Sequence, residues 1–192
     1  MRTLFLAGAL SLISSLALAA PVDWAIDGSH SRVGFTVSHM VISEVDGNFR
    51  DVKGSVKLDE ADLTKSSVEI TIPVASVNTD NADRDKHLKS ADFFDAEKHP
   101  NITFKSTKIK KAGKAFKLTG DLTIRGITKS VTLDATLSNA VQNPWGKSVR
   151  GVKVSGKIKR QDFGLNWNKS LDKGGVVVGD EVTLNVKLEL NK

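Results

Sequence analysis

The sequence contains no cysteine and no tyrosine, and only four histidines among its 192 residues. The absence of cysteine excludes disulfides, iron–sulfur clusters, thiolate zinc sites and a cysteine nucleophile. With so few groups for acid–base or metal chemistry, the composition favours binding over catalysis. Charged residues make up 26% and the hydrophobic set 40%, which is typical of a globular chain. No linker, repeat or shift in composition divides it, so we expect one folded domain.

The first nineteen residues have the features of a cleavable signal peptide. Arg2 is their only charged residue, and residues 4–18 are apolar or small. That stretch is shorter than the roughly 20 apolar residues of a membrane-spanning helix. Ala17-Leu18-Ala19 is the small-x-small pattern that signal peptidases cleave. We therefore predict a signal peptide over 1–19 and an exported domain over 20–192 with no membrane span; an uncleaved N-terminal anchor is the alternative.

Most of the remaining chain alternates apolar and polar residues with a period of two. Val33, Phe35 and Val37 share one parity, and residues 182–190 form the longest such run. Alternation of this kind predicts strands with one apolar and one wet face, which antiparallel sheets tolerate. Counting residues 22–26 as a separate strand, we expect about eight to ten strands. Such a sheet hides its apolar face by closing into a barrel or by folding into a sandwich.

One segment breaks this alternation. Residues 80–94 are polar, contain no Pro or Gly and have no β-branched residue. We predict one short helical insertion near residues 81–92, with Thr79 or Asp80 as the residue that caps its start.

The residues leave two interiors open for the predicted sheet, a hollow lumen and a filled sandwich core, and the alternation alone favours the filled core. The inward positions are mostly Val, Leu and Ile, and Gly54, Gly120 and Gly156 fall at matching parity. Small residues at those positions would leave room inside the barrel. An eight-stranded barrel is just wide enough for its own side chains or for one small ligand.

Four sequence motifs resemble the signatures of the YceI-like family. They are residues 30–39 (HSRVGFTVSH), residues 84–88 with 90–95 (RDKHL and SADFFD), residues 120–129 (GDLTIRGITK) and residues 162–164 (DFG). They follow one another in the family's order over nearly the whole exported chain. The resemblance implies a periplasmic, all-β protein with a lipocalin-like antiparallel β-barrel of about eight strands and one inserted helix. It also implies binding of long apolar molecules, polyisoprenoids above all, without catalytic residues.

Parity and the resemblance together predict the residues that line the ligand-binding lumen. We expect His39, in phase with Val37, to offer a polar contact to a ligand headgroup, and His30 to point outwards. The predicted lumen residues are Val33, Phe35, Val37, His39, Ile70, Ile72, Leu88, Phe93, Phe94, Phe104, Leu118, Leu122 and Ile124.

The function that these observations favour is non-enzymatic binding, without a metal or cofactor. The expected partner is a long-chain isoprenoid, an isoprenoid quinone or a fatty lipid, sequestered or carried in the lumen. An exported stress-response or interaction protein without a ligand is the first alternative. An enzyme that acts on a quinone or a lipid headgroup is the second. Whether the chain forms a homodimer stays open.

A lysine-rich stretch is the remaining feature of the sequence. Residues 98–117 include seven lysines and no acidic residue. Such a segment attracts a polyanion, an anionic lipid surface or a pyrophosphate. We do not expect nucleic acid, since arginine is scarce and no aromatics are interleaved with the lysines. The plainer interpretation is a solvated hairpin whose lysines discourage edge-to-edge pairing.

Overall fold

The computed structural model describes residues 20–172 and 174–192, and strands dominate this part of the chain. The predicted signal peptide lies outside the described residues. The strands are β1 (Val22–His39), β2 (Ser43–Phe49), β3 (Lys53–Leu58), β4 (Ser67–Pro73), β5 (Val77–Asn78), β6 (Asn101–Ala112), β7 (Ala115–Ile124), β8 (Ile127–Leu137), β9 (Val141–Gln142), β10 (Ser148–Lys159) and β11 (Val178–Asn191). The helix α1 spans Ala82–Lys89, and short 3₁₀ turns span Leu63–Lys65, Val74–Ser76 and Arg160–Phe163.

Eight of these strands close into an antiparallel barrel. The order is β11-β10-β8-β7-β6-β4-β3-β1, and β1 pairs back with β11. The other three strands stand outside this ring, with β2 beside β1, β5 beside β2 and β9 beside β10. The predicted all-β barrel of about eight strands is therefore confirmed. Closure removes the free edges that an open sheet of this size would expose.

The first strand runs through 18 residues and contains an irregularity in its middle. Its pairing with β11 shifts between Asp27 and Arg32, so residues 28–31 bulge out of the ladder. The separate strand expected over residues 22–26 is therefore the first part of β1. Beyond the bulge β1 changes its neighbour from β3 to β2, because the extra residues bend the strand.

The inserted helix starts one residue later than the predicted boundary and is eight residues long. Its cap is Asn81, whose side chain accepts a 2.9 Å hydrogen bond from the Arg84 amide. The prediction of Thr79 or Asp80 as the cap was wrong. Thr79 instead donates its amide and its hydroxyl to the carboxylate of Asp85. Among the described residues, no helix is long and apolar enough to cross a membrane.

The barrel has two distinguishable ends. At the one that we call the helix end, the turn between β7 and β8 meets the segment after α1. Arg125 in this turn donates to the carbonyls of Ala91 at 2.9 Å and Gly164 at 2.7 Å. The turn between β6 and β7 lies at the opposite end, which we call the hairpin end, because consecutive antiparallel strands turn at alternate ends.

Candidate ligand-binding cavity

The barrel encloses a cavity of about 270 Å³ whose wall is almost wholly hydrocarbon. Of the 37 residues that line it, only Ser66, Thr136 and Arg160 carry polar side chains. The others are Val, Leu, Ile, Phe and one alanine. An apolar cavity of this kind does not hold ordered water, because water needs two to four polar partners. The arrangement suits an apolar guest.

The structure brings together twelve of the thirteen residues predicted for the lumen. The twelve that line the cavity are Val33, Phe35, Val37, Ile70, Ile72, Leu88, Phe93, Phe94, Phe104, Leu118, Leu122 and Ile124. His39 is not among the lining residues. It stays in phase with Val37 along β2, where Val37 pairs with Val45 and His39 with Ser43. It is the last residue of β1, however, and the extra residues of the register shift there belong to β11. The role of these residues in binding stays a prediction.

Aromatic side chains connect the wall of the cavity to the inserted helix. The Phe49 ring lies 5.8 Å from that of Phe35 and 5.8 Å from that of Phe94, measured between centroids. Centroid separations of 4.5–7 Å with tilted or edge-on rings are favourable for aromatic pairs. The barrel wall and the segment that follows α1 are therefore packed as one surface.

A second aromatic group packs the helix against the segment that follows the 3₁₀ turn at Arg160–Phe163. The His87 ring stands edge-on to Phe93 at 5.0 Å and to Trp167 at 4.9 Å. Its Nε2 lies 2.8 Å from a carboxylate oxygen of Asp92. His87 therefore orients the segment carrying Phe93, which has 6% of its surface exposed.

Sequence reasoning missed the part of the wall that lies at the helix end. Arg160, Phe163 and Leu165 line the cavity, and all three are buried. The guanidinium of Arg160 donates to four backbone carbonyls. The acceptors are Leu165, Trp167 (3.0 Å), Val178 (3.2 Å) and Gly179 (2.8 Å). Burial lowers the pKa of Arg160, which the charge of Asp180 opposes.

The segment around Arg160 gave one signal in the sequence, the motif at residues 162–164. Its glycine, Gly164, ends the 3₁₀ turn with a φ of +74°, a conformation that favours glycine. The turn lets the chain reverse so that Arg160 can reach the carbonyls beyond it.

The polar groups nearest to a metal-ligand arrangement lie on the outside of the barrel. Asp27, His30 and Glu189 place one ligand atom each within 4.8 Å of one another. Asp27 already accepts hydrogen bonds from the amide and the hydroxyl of Ser29, at 2.9 and 2.6 Å. The bond from the Ser29 hydroxyl, followed by that of the His30 side chain and then that of the Ser29 amide, holds the pKa of Asp27 well below its ordinary value. The contact with Asp27 in turn raises the pKa of His30. The cluster thus ties together the two sides of the bulge in β1 by hydrogen bonds, and none of its three residues lines the lumen.

Comparison with known proteins adds relatives in sequence and in structure. A family model described as the YceI-like domain matches residues 24–190. A UPF0312 protein of Photorhabdus laumondii is 45% identical over 157 residues, which is 82% of each chain. The crystal structure of Burkholderia cenocepacia BcnA covers 85% of this chain and 98% of its own, with 27% identity and a TM-score of 0.75. A polyisoprenoid binding domain from Saccharophagus degradans is similar in fold, with 16% identity, a TM-score of 0.60 and coverage of 87% and 97%.

Proposed function

The chain belongs to the YceI-like family, and from that premise we propose that it sequesters or carries a long apolar lipid in the periplasm. The lipid class that we propose is a polyisoprenoid or an isoprenoid quinone, with its tail in the barrel lumen. The polyisoprenoid binding of the Saccharophagus domain supports this class, since that domain has a similar fold.

The hydrocarbon wall of the cavity carries the proposal. Each buried CH₂ group contributes roughly 0.8 kcal/mol to transfer out of water, and a polyisoprenoid has dozens of carbons. That gain exceeds the several kcal/mol that immobilising a ligand costs. A polar ligand would leave its hydrogen-bonding groups unpaired against this wall, at about 1–3 kcal/mol each. The cavity therefore selects for apolar tails.

The residues of the wall also favour reversible binding over catalysis. Its three polar side chains include no carboxylate and no imidazole. Arg160, the one charged group, has its donors directed to backbone carbonyls. A general base or an activated nucleophile needs such groups within hydrogen-bond reach of one another. We therefore propose binding without a covalent step.

The periplasmic part of the proposal rests on the first nineteen residues. An exported chain cleaved after Ala19 would begin at Ala20. N-terminal sequencing of the protein from the periplasmic fraction of its host should find that residue first. An exported form that still carries Met1 would contradict the signal peptide while leaving the lumen proposal untouched.

Native mass spectrometry of the protein purified from its own periplasm tests the lumen directly. We expect a mass above that of the bare chain, lost after extraction with organic solvent, and an isoprenoid lipid in the extract. A bare mass, together with no uptake of added polyprenol or ubiquinone by the purified protein, would favour a ligand-free interaction protein instead.

A further inference from the structure

Four lysines at the hairpin end of the barrel have no acidic partner in the part of the chain that the structure describes. Lys108, Lys110, Lys111 and Lys114 are all exposed, on the last part of β6 and in the turn that follows it. Within the described residues, no carboxylate lies within 4.0 Å of any of their ammonium groups. Two other lysines of this hairpin, one on β6 and one on β7, do have an acidic partner. Lys105 pairs with Glu69 at 2.7 Å, and Lys117 pairs with Asp134 at 2.6 Å.

A second exposed loop lies at the same end. Phe116 pairs with Ala135, so β8 ends beside the turn between β6 and β7. The chain then runs through β9 into the turn at residues 143–146, before β10 begins. This loop exposes 82% of Trp145 and 59% of Val141. Large apolar side chains are therefore presented to solvent at the same end of the barrel as the lysines.

Trp145 is held in place by an ordered turn. The side-chain oxygen of Asn143 accepts from the Trp145 amide at 3.1 Å and from the Lys147 amide at 2.9 Å. The Asn143 amide donates to the Lys147 carbonyl at 2.8 Å. Gly146 has a φ of +80°, which allows the tight reversal. The indole is therefore displayed by a fixed backbone.

The hairpin and the loop each carry charge of one sign. The β3–β4 turn at the same end carries Asp59, Glu60 and Asp62, of which Glu60 pairs with Arg150 at 2.6 Å and Asp62 with Lys65 at 3.9 Å. Residues 98–120, which supply the hairpin, contain no acidic residue, and neither do residues 135–161, which supply the loop. Lys147 adds a fifth exposed cation next to Trp145. Discouraging edge pairing would account for lysines on the hairpin but not for an exposed tryptophan two strands away.

We propose that the hairpin end is a docking surface for an anionic lipid bilayer. Its binding face consists of Lys108, Lys110, Lys111, Lys114, Val141 and Trp145. Each lysine close to an anionic membrane contributes about 1 kcal/mol, and tryptophan is the side chain most suited to the headgroup region. A nucleic acid fits less well, since the surface offers one aromatic ring and no row of stacking platforms. This docking does not depend on what the lumen holds.

Sedimentation with lipid vesicles tests the proposal, using the exported form of the protein. We expect binding to vesicles of phosphatidylglycerol and phosphatidylcholine, little binding to phosphatidylcholine alone, and release at high salt. Trp145 fluorescence should shift to the blue on binding, because Trp24 is already buried and Trp167 is half-buried against His87 and Phe93 at the opposite end. Replacing Lys110 and Lys111 by Glu should weaken binding about 30-fold or more. Trp145→Ala should weaken it about tenfold.

The matched control removes the same charge from the opposite end. Lys129 and Lys169 are exposed at the helix end, and replacing both by Glu changes the net charge equally. This variant should keep vesicle binding within about threefold of the wild type, since its lysines lie far from the docked face. An equal loss of binding in both double variants, or no binding to anionic vesicles, would overturn the proposal. So would an oligonucleotide that displaces the protein from vesicles and binds Trp145→Ala as tightly as it binds the wild type.

Discussion

The phenyl ring of Phe104 lies directly on the backbone of Gly120 across strands β6 and β7. A Cβ atom at residue 120 would come within 2.4 Å of the Phe104 Cζ. Phe35 has the same relationship with Gly47, at 2.2 Å, and Leu133 with Gly156, at 2.5 Å to its Cδ2. At each of these glycines, a large side chain of the neighbouring strand therefore packs directly against the backbone of the barrel wall.

Replacing Gly120 by alanine should destabilise the barrel. The new methyl group would meet both the Phe104 ring and the Lys105 carbonyl oxygen, which is 2.5 Å away and belongs to the backbone. Overpacking of this kind costs about 1–3 kcal/mol of the free energy of unfolding. Urea denaturation measures this loss.

Gly151→Ala is the control for that substitution, because the nearest atom to a Cβ there is the Ser138 Oγ at 3.8 Å. Its stability should stay within about 0.5 kcal/mol of the wild type. Equal stability of both variants would mean that the ring of Phe104 moves away at no cost.

The same relationship explains where sequence reasoning about the interior failed. Gly120 and Gly156 were expected to leave room in the lumen, and that reason was wrong. Parity tells which face of a strand a residue occupies, but it does not tell which neighbouring side chain takes the space. At Gly54 the space is taken by backbone and not by a side chain, because a Cβ there would meet the Glu69 carbonyl, and its φ is +154°.

The fold itself could be predicted, because the period of two persists along the barrel strands. The site could be predicted in part. The twelve predicted residues that do line the cavity lie in regular strands or in the recognisable insertion around α1. His39 keeps the parity of Val37 but lies at the end of β1, beyond the residues that line the cavity, and alternation does not tell where along a strand a cavity ends. Arg160 and Phe163 were missed because a 3₁₀ turn has no period of two.

A polar group placed in the cavity wall should weaken lipid binding. Val186 lines the cavity and is half-buried, whereas Lys187 follows it on the outer face of β11. Val186→Gln would place an amide against the lipid tail, and an unpaired amide costs about 1–3 kcal/mol. We expect a loss of affinity of about tenfold in titrations with a fluorescent polyprenyl probe.

Lys187→Gln is the matched control, with the same new side chain one residue further along the strand. It should bind the probe as the wild type does, and high salt should not release the probe from either protein. If Val186→Gln also binds normally, the tail does not occupy the lumen.

The cluster at the bulge of β1 predicts a dependence on pH. His30 Nδ1 lies 3.1 Å from Asp27 and 3.9 Å from Glu189, and the hydrogen bond with Asp27 is the main cause of its raised pKa. Asp27→Asn should therefore lower the pKa of His30, and Glu189→Gln should lower it less. Titration of the imidazole resonances by NMR measures both.

The sign of the effect on stability follows from these shifts. A raised His30 pKa stabilises the fold fully below the ordinary histidine value of 6.5, and the contribution is lost as the pH rises through the raised pKa. The lowered Asp27 pKa contributes above the ordinary value of 3.8 and is lost as the pH falls. Asp27→Asn should therefore destabilise the protein more at about pH 5 than at about pH 9. The reverse order would show that the pair does not govern the bulge.

The guanidinium of Arg160 should be indispensable for the helix end of the cavity. Arg160→Met would leave the carbonyls of Leu165, Trp167 and Gly179 without this donor, while the Val178 carbonyl keeps the 2.7 Å bond from the Asn168 side-chain amide. Each buried acceptor left unpaired costs about 1–3 kcal/mol, so we expect a loss of roughly 3 kcal/mol or more in the free energy of unfolding. Arg160→Lys separates geometry from charge. Its ammonium keeps the attraction to Asp180 but cannot reproduce the planar fork, so its stability should fall between those of Arg160→Met and wild type.

Arg32→Met is the control for the loss of an arginine, because Arg32 is exposed on the outer face of β1. Its stability should change by no more than about 0.5 kcal/mol. Hydrogen exchange then locates the effect of Arg160→Met, which should raise exchange in residues 165–179 before it affects β3 and β4. If Arg160→Lys were as stable as wild type, the charge alone would suffice, and the four carbonyl contacts would not be what holds this end of the barrel closed.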